Sequence, residues 1–421
     1  MDYEKLSPVV ARIRPRTSHK IVGIGIIIVV LIYVATQLSD YQLSTSTFLA
    51  ATSTAGSSVA DTVGDVIDSQ VANSFDGVSD SEVTDSAALG TTAVDDLFQA
   101  KIEPIPNIVH YVWLLNPLKN NTNTRLEFKH FLSLYAVSIY WKPDKIFIHT
   151  DIAEGDFLPE PGTETPEDEW NLLITGQPNV EVNHITAPSH VPGTNRTIDR
   201  IEHKSDFLRL HMMRTYGGIY LDWDAHPLRD IKPLRYSGFK AVVGREPSNR
   251  IQTGTYMARR DSDLMKTWSE KMALAYDGTW THHSNTLLTY LAPRLVPQPG
   301  EVLIMEQDAF TPGDFTTPSY NRFYDIHNDS PLQDLSDIWE GLFDRFDDPK
   351  HWPKWHINYS ATYVLHVFGI QRAQKDLKLN GFTDLTPEYV LARQSNAARA
   401  LYPTARRMVE EGLIADPYAE A

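Results

Sequence analysis

Ser205-Asp-Phe-Leu-Arg-Leu-His-Met-Met-Arg-Thr-Tyr-Gly-Gly-Ile-Tyr-Leu-Asp-Trp-Asp224 is the stretch on which the fold turns. Asp206 to Tyr216 reads as a helix stopped by Gly217-Gly218, because glycine is the usual residue just past a helix end. Gly218 to Leu221 then reads as a short strand that delivers Asp222-Trp223-Asp224. Alternation along a strand places both carboxylates on one side, with Trp223 opposed. Two carboxylates at a strand's carboxyl end suit a hard divalent cation that keeps water and phosphate-oxygen ligands. Such a cation can bridge a pyrophosphate and stabilise charge as a diphosphate departs. Asp206 and Arg209 are three apart on the helix and share a face, which an ordinary surface ion pair would equally explain. A lone Asp-x-Asp is a weak signal, and the chain holds a second one, Asp261-Ser-Asp263, that reads as a helix cap. The complete run of helix, Gly-Gly, strand and Asp-x-Asp is far more specific.

Around this run the chain alternates strands and helices, as an α/β domain does. Pro106 to Leu114 is apolar enough for a buried first strand, a helix follows at Phe128 to Tyr140, and Pro143 to Thr150 is a second strand. Val180 to His184 suits a third. Thr386-Pro387-Glu388 begins an amphipathic helix running to about Gly412, expected to be peripheral. His282-His283 reads as a solvated loop pair, with ligation or a direct catalytic role as the other option. Trp339, Trp352 and Trp355 read as packing under a loop, with a sugar-stacking platform as the other option. No Gly-x-Ser-x-Gly is present, so a serine hydrolase is excluded. A phosphatase with an aspartate nucleophile would want Thr or Val after the Asp-x-Asp, where Ala225-His226 stands.

The run resembles the DXD-containing sugar-transferase region of glycosyltransferase family 32, which includes fungal Golgi mannosyltransferases and animal α-1,4-galactosyltransferases. Further matches extend the resemblance over about residues 102–370. Ile105-Pro-Asn-Ile-Val-His-Tyr-Val-Trp113 looks like the family's opening strand, Gly278 to Thr289 like its later Gly-Pro-x-x-Leu-Thr segment, and Tyr363 to Phe368 like its closing strand. The chain departs from the pattern at Ser284-Asn285, at Thr253-Gly254 and at Phe368, which replaces a common Trp.

The resemblance implies an α/β fold of GT-A type, a Rossmann-like nucleotide-sugar-binding mixed sheet flanked by helices. It implies transfer of a hexose from a UDP- or GDP-linked donor to a glycan or glycolipid hydroxyl, with retention. Asp206 and Arg209 would hold the donor sugar, with Tyr220 beside it. Asp222 and Asp224 would bind Mn²⁺ and the diphosphate. His110 and Trp113 would lie on the donor-binding strand, and His366 would add a metal ligand from the late strand; a core histidine is its alternative. Two other functions stay open: a membrane-tethered glycan-binding protein that kept the fold, and a metal-dependent phosphate-ester hydrolase.

Organisation and composition complete the expectation. Ile21 to Leu38 is almost uninterruptedly apolar, about 27 Å long as a helix, and reads as a signal-anchor. Lys5, Arg12, Arg14, Arg16 and Lys20 precede it, whereas residues 39–101 begin an acidic, Ser/Thr-rich stem. The positive-inside rule then makes 1–20 a cytosolic tail and the remainder lumenal, as in a single-pass type II Golgi enzyme, free to associate with other Golgi enzymes. Residues 102–372 would be the catalytic domain and 373–421 a helical extension. Sequons stand at Asn120, Asn195, Asn328 and Asn358. A net charge of −16 argues against nucleic-acid binding, and the absence of cysteine removes disulfides, thiolate metal sites and thiol nucleophiles.

Overall fold

The structure is a computed structural model and describes residues 103–116, 123–328, 354–368, 382 and 384–419. The expected anchor, tail and stem, together with Asn120, Trp339 and Trp352, lie outside the described residues. Among the described residues no helix is long and apolar enough to cross a membrane.

Among the described residues seven strands form the main sheet: β1 (Ile108–Trp113), β2 (Lys145–Thr150), β3 (Val180–His184), β4 (Gly218–Leu221), β6 (Ala241–Arg245), β7 (Ile251–Ala258) and β8 (Val302–Met305). Their spatial order is β3-β2-β1-β4-β7-β6-β8. β7 runs antiparallel between β4 and β6, and every other pairing is parallel, so the sheet is mixed and mainly parallel. The three sequence-read strands β1 to β3 and the strand before the Asp-x-Asp all form. A two-stranded ribbon stands apart from the sheet, β5 (Ala225–Pro227) against β9 (Val364–His366).

Strands covered on both faces need apolar side chains in both directions. In β4, Ile219 and Leu221 join a core with Tyr111, Phe131 and Trp223, while Tyr220 between them joins a second core with Tyr256 and Trp268. Alternation therefore puts the two cores on opposite faces. At about 1.5–3 kcal/mol for each large apolar side chain fully buried, these cores supply the main driving force for folding.

Several local expectations are corrected. The Phe128–Tyr140 helix ends at Ala136 and continues as a π-turn, Val137–Trp141. The helix carrying Asp206 begins at Ile201 and ends at Tyr216, with Gly217 at φ 66° beyond it. A side chain at Gly218, φ 115°, would collide with the Ile108 carbonyl, so glycine lets β4 close against β1. The second Asp-x-Asp does start a helix, yet its cap is Ser262, whose hydroxyl accepts from Met265 N; Asp261 pairs with Arg259. The C-terminal amphipathic run is two helices, Pro387–Ala392 and Asn396–Glu410, separated by left-handed Arg393. They are not peripheral: Ala397, Ala400, Leu401 and Met408 sit in the first core, and the Asn396 amide is bound by Ile357, Arg322 and Trp355 backbones. Trp355 stacks on His327 at 4.2 Å, in keeping with a packing role.

Candidate active site

β4 ends at Leu221, and Asp222 to Asp224 form a turn rather than a strand extension. The carboxylates come together because the chain turns, not because strand pleats alternate. The Asp222 N–H donates to the Gly254 carbonyl at 2.7 Å, and the Ala225 N–H closes the turn onto the Asp222 carbonyl at 3.0 Å. Trp223 faces the opposite way, stacked on Tyr111 at 4.2 Å, with its indole N–H on the Val112 carbonyl. The apolar body of the tryptophan thus anchors a turn whose two neighbours must stay polar and accessible.

β5 leaves this turn and pairs with β9 so that Ala225 faces His366. The register sets His366 Nε2 at 3.0 Å from Asp224 Oδ1 and 3.8 Å from Asp222 Oδ2. One ligand atom from each of the three residues lies within 4.8 Å of the others, a spacing that could hold one metal ion. Two carboxylates and an imidazole suit Mn²⁺ or a similar cation. Gly254 supports that fit: an added Cβ would stand 2.6 Å from Asp222 Oδ2 and 3.1 Å from His366 Nε2. The space that only glycine leaves open is the space beside the ligand atoms.

The Ile201–Tyr216 helix brings Asp206 and Arg209 to the same place. Both are buried, 7% exposed each, so they are not the surface pair that spacing alone allowed. Arg209 Nη2 is 3.4 Å from Asp206 Oδ1, and Nη1 is 3.4 Å from Asp222 Oδ1. Arg209 also donates to the Thr253 carbonyl at 2.8 Å and lies 4.4 Å over the Tyr220 ring. The Tyr220 hydroxyl donates to Asp222 Oδ1 at 2.7 Å. Burial pushes the Tyr220 pKa well above its ordinary value, so the hydroxyl remains a donor. Burial alone would raise the Asp206 carboxyl, but the Arg209 charge and a hydrogen bond from His283 hold it below its ordinary value. Burial would likewise lower Arg209, and its attraction to Asp222, Tyr220 and Asp206 outweighs that.

His283 departs from the solvated reading given to the His282-His283 pair. It is fully buried, and its Nε2 is 3.0 Å from Asp206 Oδ2. His282 behaves as a solvated residue, exposed and bound to Asp277. The separating signal is the helix register of 282–286, which turns neighbouring histidines in different directions. Two of the three departures from the family pattern also meet: Thr253 Oγ1 donates to Asn285 Oδ1 at 3.0 Å.

Two expected donor contacts look different. His110 is fully buried, with Nδ1 on His149 and Nε2 on the Gly217 carbonyl, so no ring nitrogen remains for a donor. It braces the Gly217 turn instead, and burial lowers its pKa to about 4. Trp113 is half-buried at the end of β1, edge-on to Trp223 and His130, with its N–H on the Asn123 carbonyl. That supports the aspartate-bearing turn from below.

Comparison with known proteins agrees with this geometry. Residues 169–240 match the glycosyltransferase sugar-binding region containing the DXD motif. The glucan organizing enzyme 1 of Cryptococcus neoformans is 26% identical over 217 residues, covering 49% of this chain and 54% of that protein. The glycosyltransferase afumC of Aspergillus fumigatus is 33% identical over 107 residues, covering 21% and 27%. The chain therefore spans about half, or less, of the length of these curated relatives. Among solved structures, the PaToxG glycosyltransferase aligns with a TM-score of 0.33 at 15% identity, over 50% of this chain and 79% of that one. The Streptococcus pneumoniae glycosyltransferase GlyE aligns with a TM-score of 0.37 at 8% identity, over 75% and 66%. The stretch from residue 169 to 240, with Asp206, Arg209, Asp222 and Asp224 inside it, matches the DXD-containing glycosyltransferase sugar-binding region, and these matches support the resemblance to family 32 read from the sequence.

Proposed function

We propose that this chain is a metal-dependent hexosyltransferase of GT-A type, taking a UDP- or GDP-linked sugar and a glycan or glycolipid acceptor. One observation carries the proposal: the three-residue cluster of Asp222, Asp224 and His366 adjoins a buried Asp206–Arg209 pair through Arg209 and Asp222, 3.4 Å apart. The mixed sheet supports it, since open α/β sheets bind nucleotides at the carboxyl ends of their strands, where this turn sits.

Each side chain then has a task. Asp222, Asp224 and His366 would hold Mn²⁺, which when bound supplies Lewis-acid neutralisation of the donor diphosphate. Tyr220 fixes the orientation of Asp222 by its hydroxyl. Arg209 presents a planar donor fork and Asp206 an acceptor, a combination suited to hexose hydroxyls. The burial of this pair keeps it dry and ordered before substrate arrives, which lowers the reorganisation needed at the reaction. Retention at the anomeric carbon follows the family resemblance, with the leaving diphosphate receiving the acceptor proton on the same face. The basic tail, apolar segment and acidic stem support a type II Golgi enzyme with a lumenal domain.

The test is the full-length chain in detergent, offered a panel of UDP- and GDP-sugars with Mn²⁺, with diphosphate release measured. Release from one donor class, abolished by EDTA and reduced more than about a thousandfold in Asp222→Asn or Asp224→Asn, is the expected result. No release from any donor, or near-normal release in both variants, would overturn it.

A further inference from the structure

One short turn reaches both members of the proposed sugar clamp. Residues His282–Thr286 form a π-turn ahead of the Leu287–Leu295 helix. π-turns are rare, and they often mark functional positions because the extra residue re-aims side chains. Here one side chain of the turn, His283, meets Asp206, and another, Asn285, accepts from Thr253. The Thr253 carbonyl in turn accepts from Arg209 at 2.8 Å.

The geometry points to His283 as the positioning residue of the donor clamp, holding Asp206 so that a single carboxylate oxygen is offered to the sugar. The role rests on the transferase reading given above. His283 binds Oδ2, while Arg209 stands at 3.4 Å from Oδ1. The Nδ1 atom of His283 is buried without a hydrogen-bond partner, so the ring hydrogen is best used at Nε2, donated to Asp206. The ring itself has no freedom to swing. It stacks on Phe207 at 5.7 Å and meets His203 and Tyr276 edge-on at 4.5 and 5.0 Å. Its own carbonyl accepts from the Trp268 indole at 3.1 Å. A rigid aromatic box therefore fixes the imidazole, and the imidazole fixes the carboxylate. Without it, Asp206 could rotate both oxygens toward Arg209, forming the bidentate pair that guanidinium and carboxylate favour. That closed pair would compete with the sugar hydroxyl for both partners.

The experiment separates this role from packing. His283→Phe keeps a ring inside the box but loses the donor; His283→Gln keeps a donor nitrogen at similar reach. With full-length protein, Mn²⁺ and the donor that the wild type turns over, kcat/KM should fall by about thirtyfold or more in His283→Phe. At least tenfold of that loss should return in His283→Gln. Adding Asp206→Asn to His283→Phe should cost little more, because the two changes remove one function. The role is overturned by near-normal kcat/KM in His283→Phe, by no recovery in His283→Gln, or by an Asp206→Asn penalty that is the same in both backgrounds. Wild-type protein that turns over no donor would overturn the transferase reading, and this role with it; wild-type turnover unaffected by these variants overturns this role alone.

Discussion

His366 Nε2 lies 3.0 Å from Asp224 Oδ1, although 142 residues separate them in the chain. The contact is fixed by backbone pairing, since Ala225 and His366 are opposite each other in the β5–β9 ribbon. His366→Ala should therefore weaken Mn²⁺ binding tenfold or more without unfolding the ribbon, as removal of one ligand does. His366→Asp should recover part of it. Calorimetric titration of Mn²⁺ in the presence of UDP or GDP checks this, and unchanged affinity in His366→Ala would return the residue to a purely structural place.

Gly254 gives an independent check on the same site. Its missing side chain leaves room beside Asp222 Oδ2 and His366 Nε2. Gly254→Ala should reduce metal affinity by at least tenfold and slow turnover correspondingly, while melting within a few degrees of wild type. An alanine variant that binds Mn²⁺ normally would show that the space is not needed by the ion.

Arg209→Lys keeps the charge but loses the planar fork that touches Asp206, Asp222 and Thr253 together. Turnover should fall well beyond tenfold. Because the guanidinium is buried between two carboxylates, some stability should fall too, so activity is compared per folded molecule by active-site-independent refolding and melting measurements. Full activity per folded molecule would make the pair structural.

His110 supplies a pH dependence. Burial lowers its pKa from the ordinary 6.5 to about 4, and burial lowers His149 beside it as well. A depressed histidine is neutral when folded, and the unfolded chain takes up a proton first as pH falls. Stability is then full above about pH 6.5 and drains away between pH 6.5 and about 4, at about 1.4 kcal/mol for each unit of separation. Chemical denaturation at pH 7.5, 6 and 5 should show this decline. His110→Gln should flatten the slope; an equally steep slope in that variant would assign the decline to other groups.

What the sequence disclosed was local. Asp206, Arg209, Asp222 and Asp224 fall within one helix–turn–strand unit, so spacing and punctuation brought them together as candidates, and His366 came with the resemblance of Tyr363 to Phe368 to the family's closing strand. Burial of the Asp206–Arg209 pair was not legible, because an i,i+3 spacing is the same on a surface and in a core. His283 read as solvated for a related reason. It lies 77 residues from Asp206, and adjacent histidines carry no periodic signal until a π-turn divides their directions. His110 was drawn toward the donor by its position on the opening strand, whereas its two ring nitrogens are used between β2 and the Gly217 turn. The C-terminal helices read as peripheral because their amphipathic pattern shows that one face is covered, but not by what.

The β5–β9 ribbon also imposes an order on assembly. Asp222 and Asp224 emerge from synthesis far ahead of Val364 to His366, and among the described residues β9 is the strand that pairs with β5. A nascent chain can thus have made every strand of its main sheet while the proposed cation cluster still lacks a member. A product cut short before residue 364 would lose β9 and the C-terminal helices that fill the first core, so packing around the sheet and the third member of the proposed cation site would be lost together.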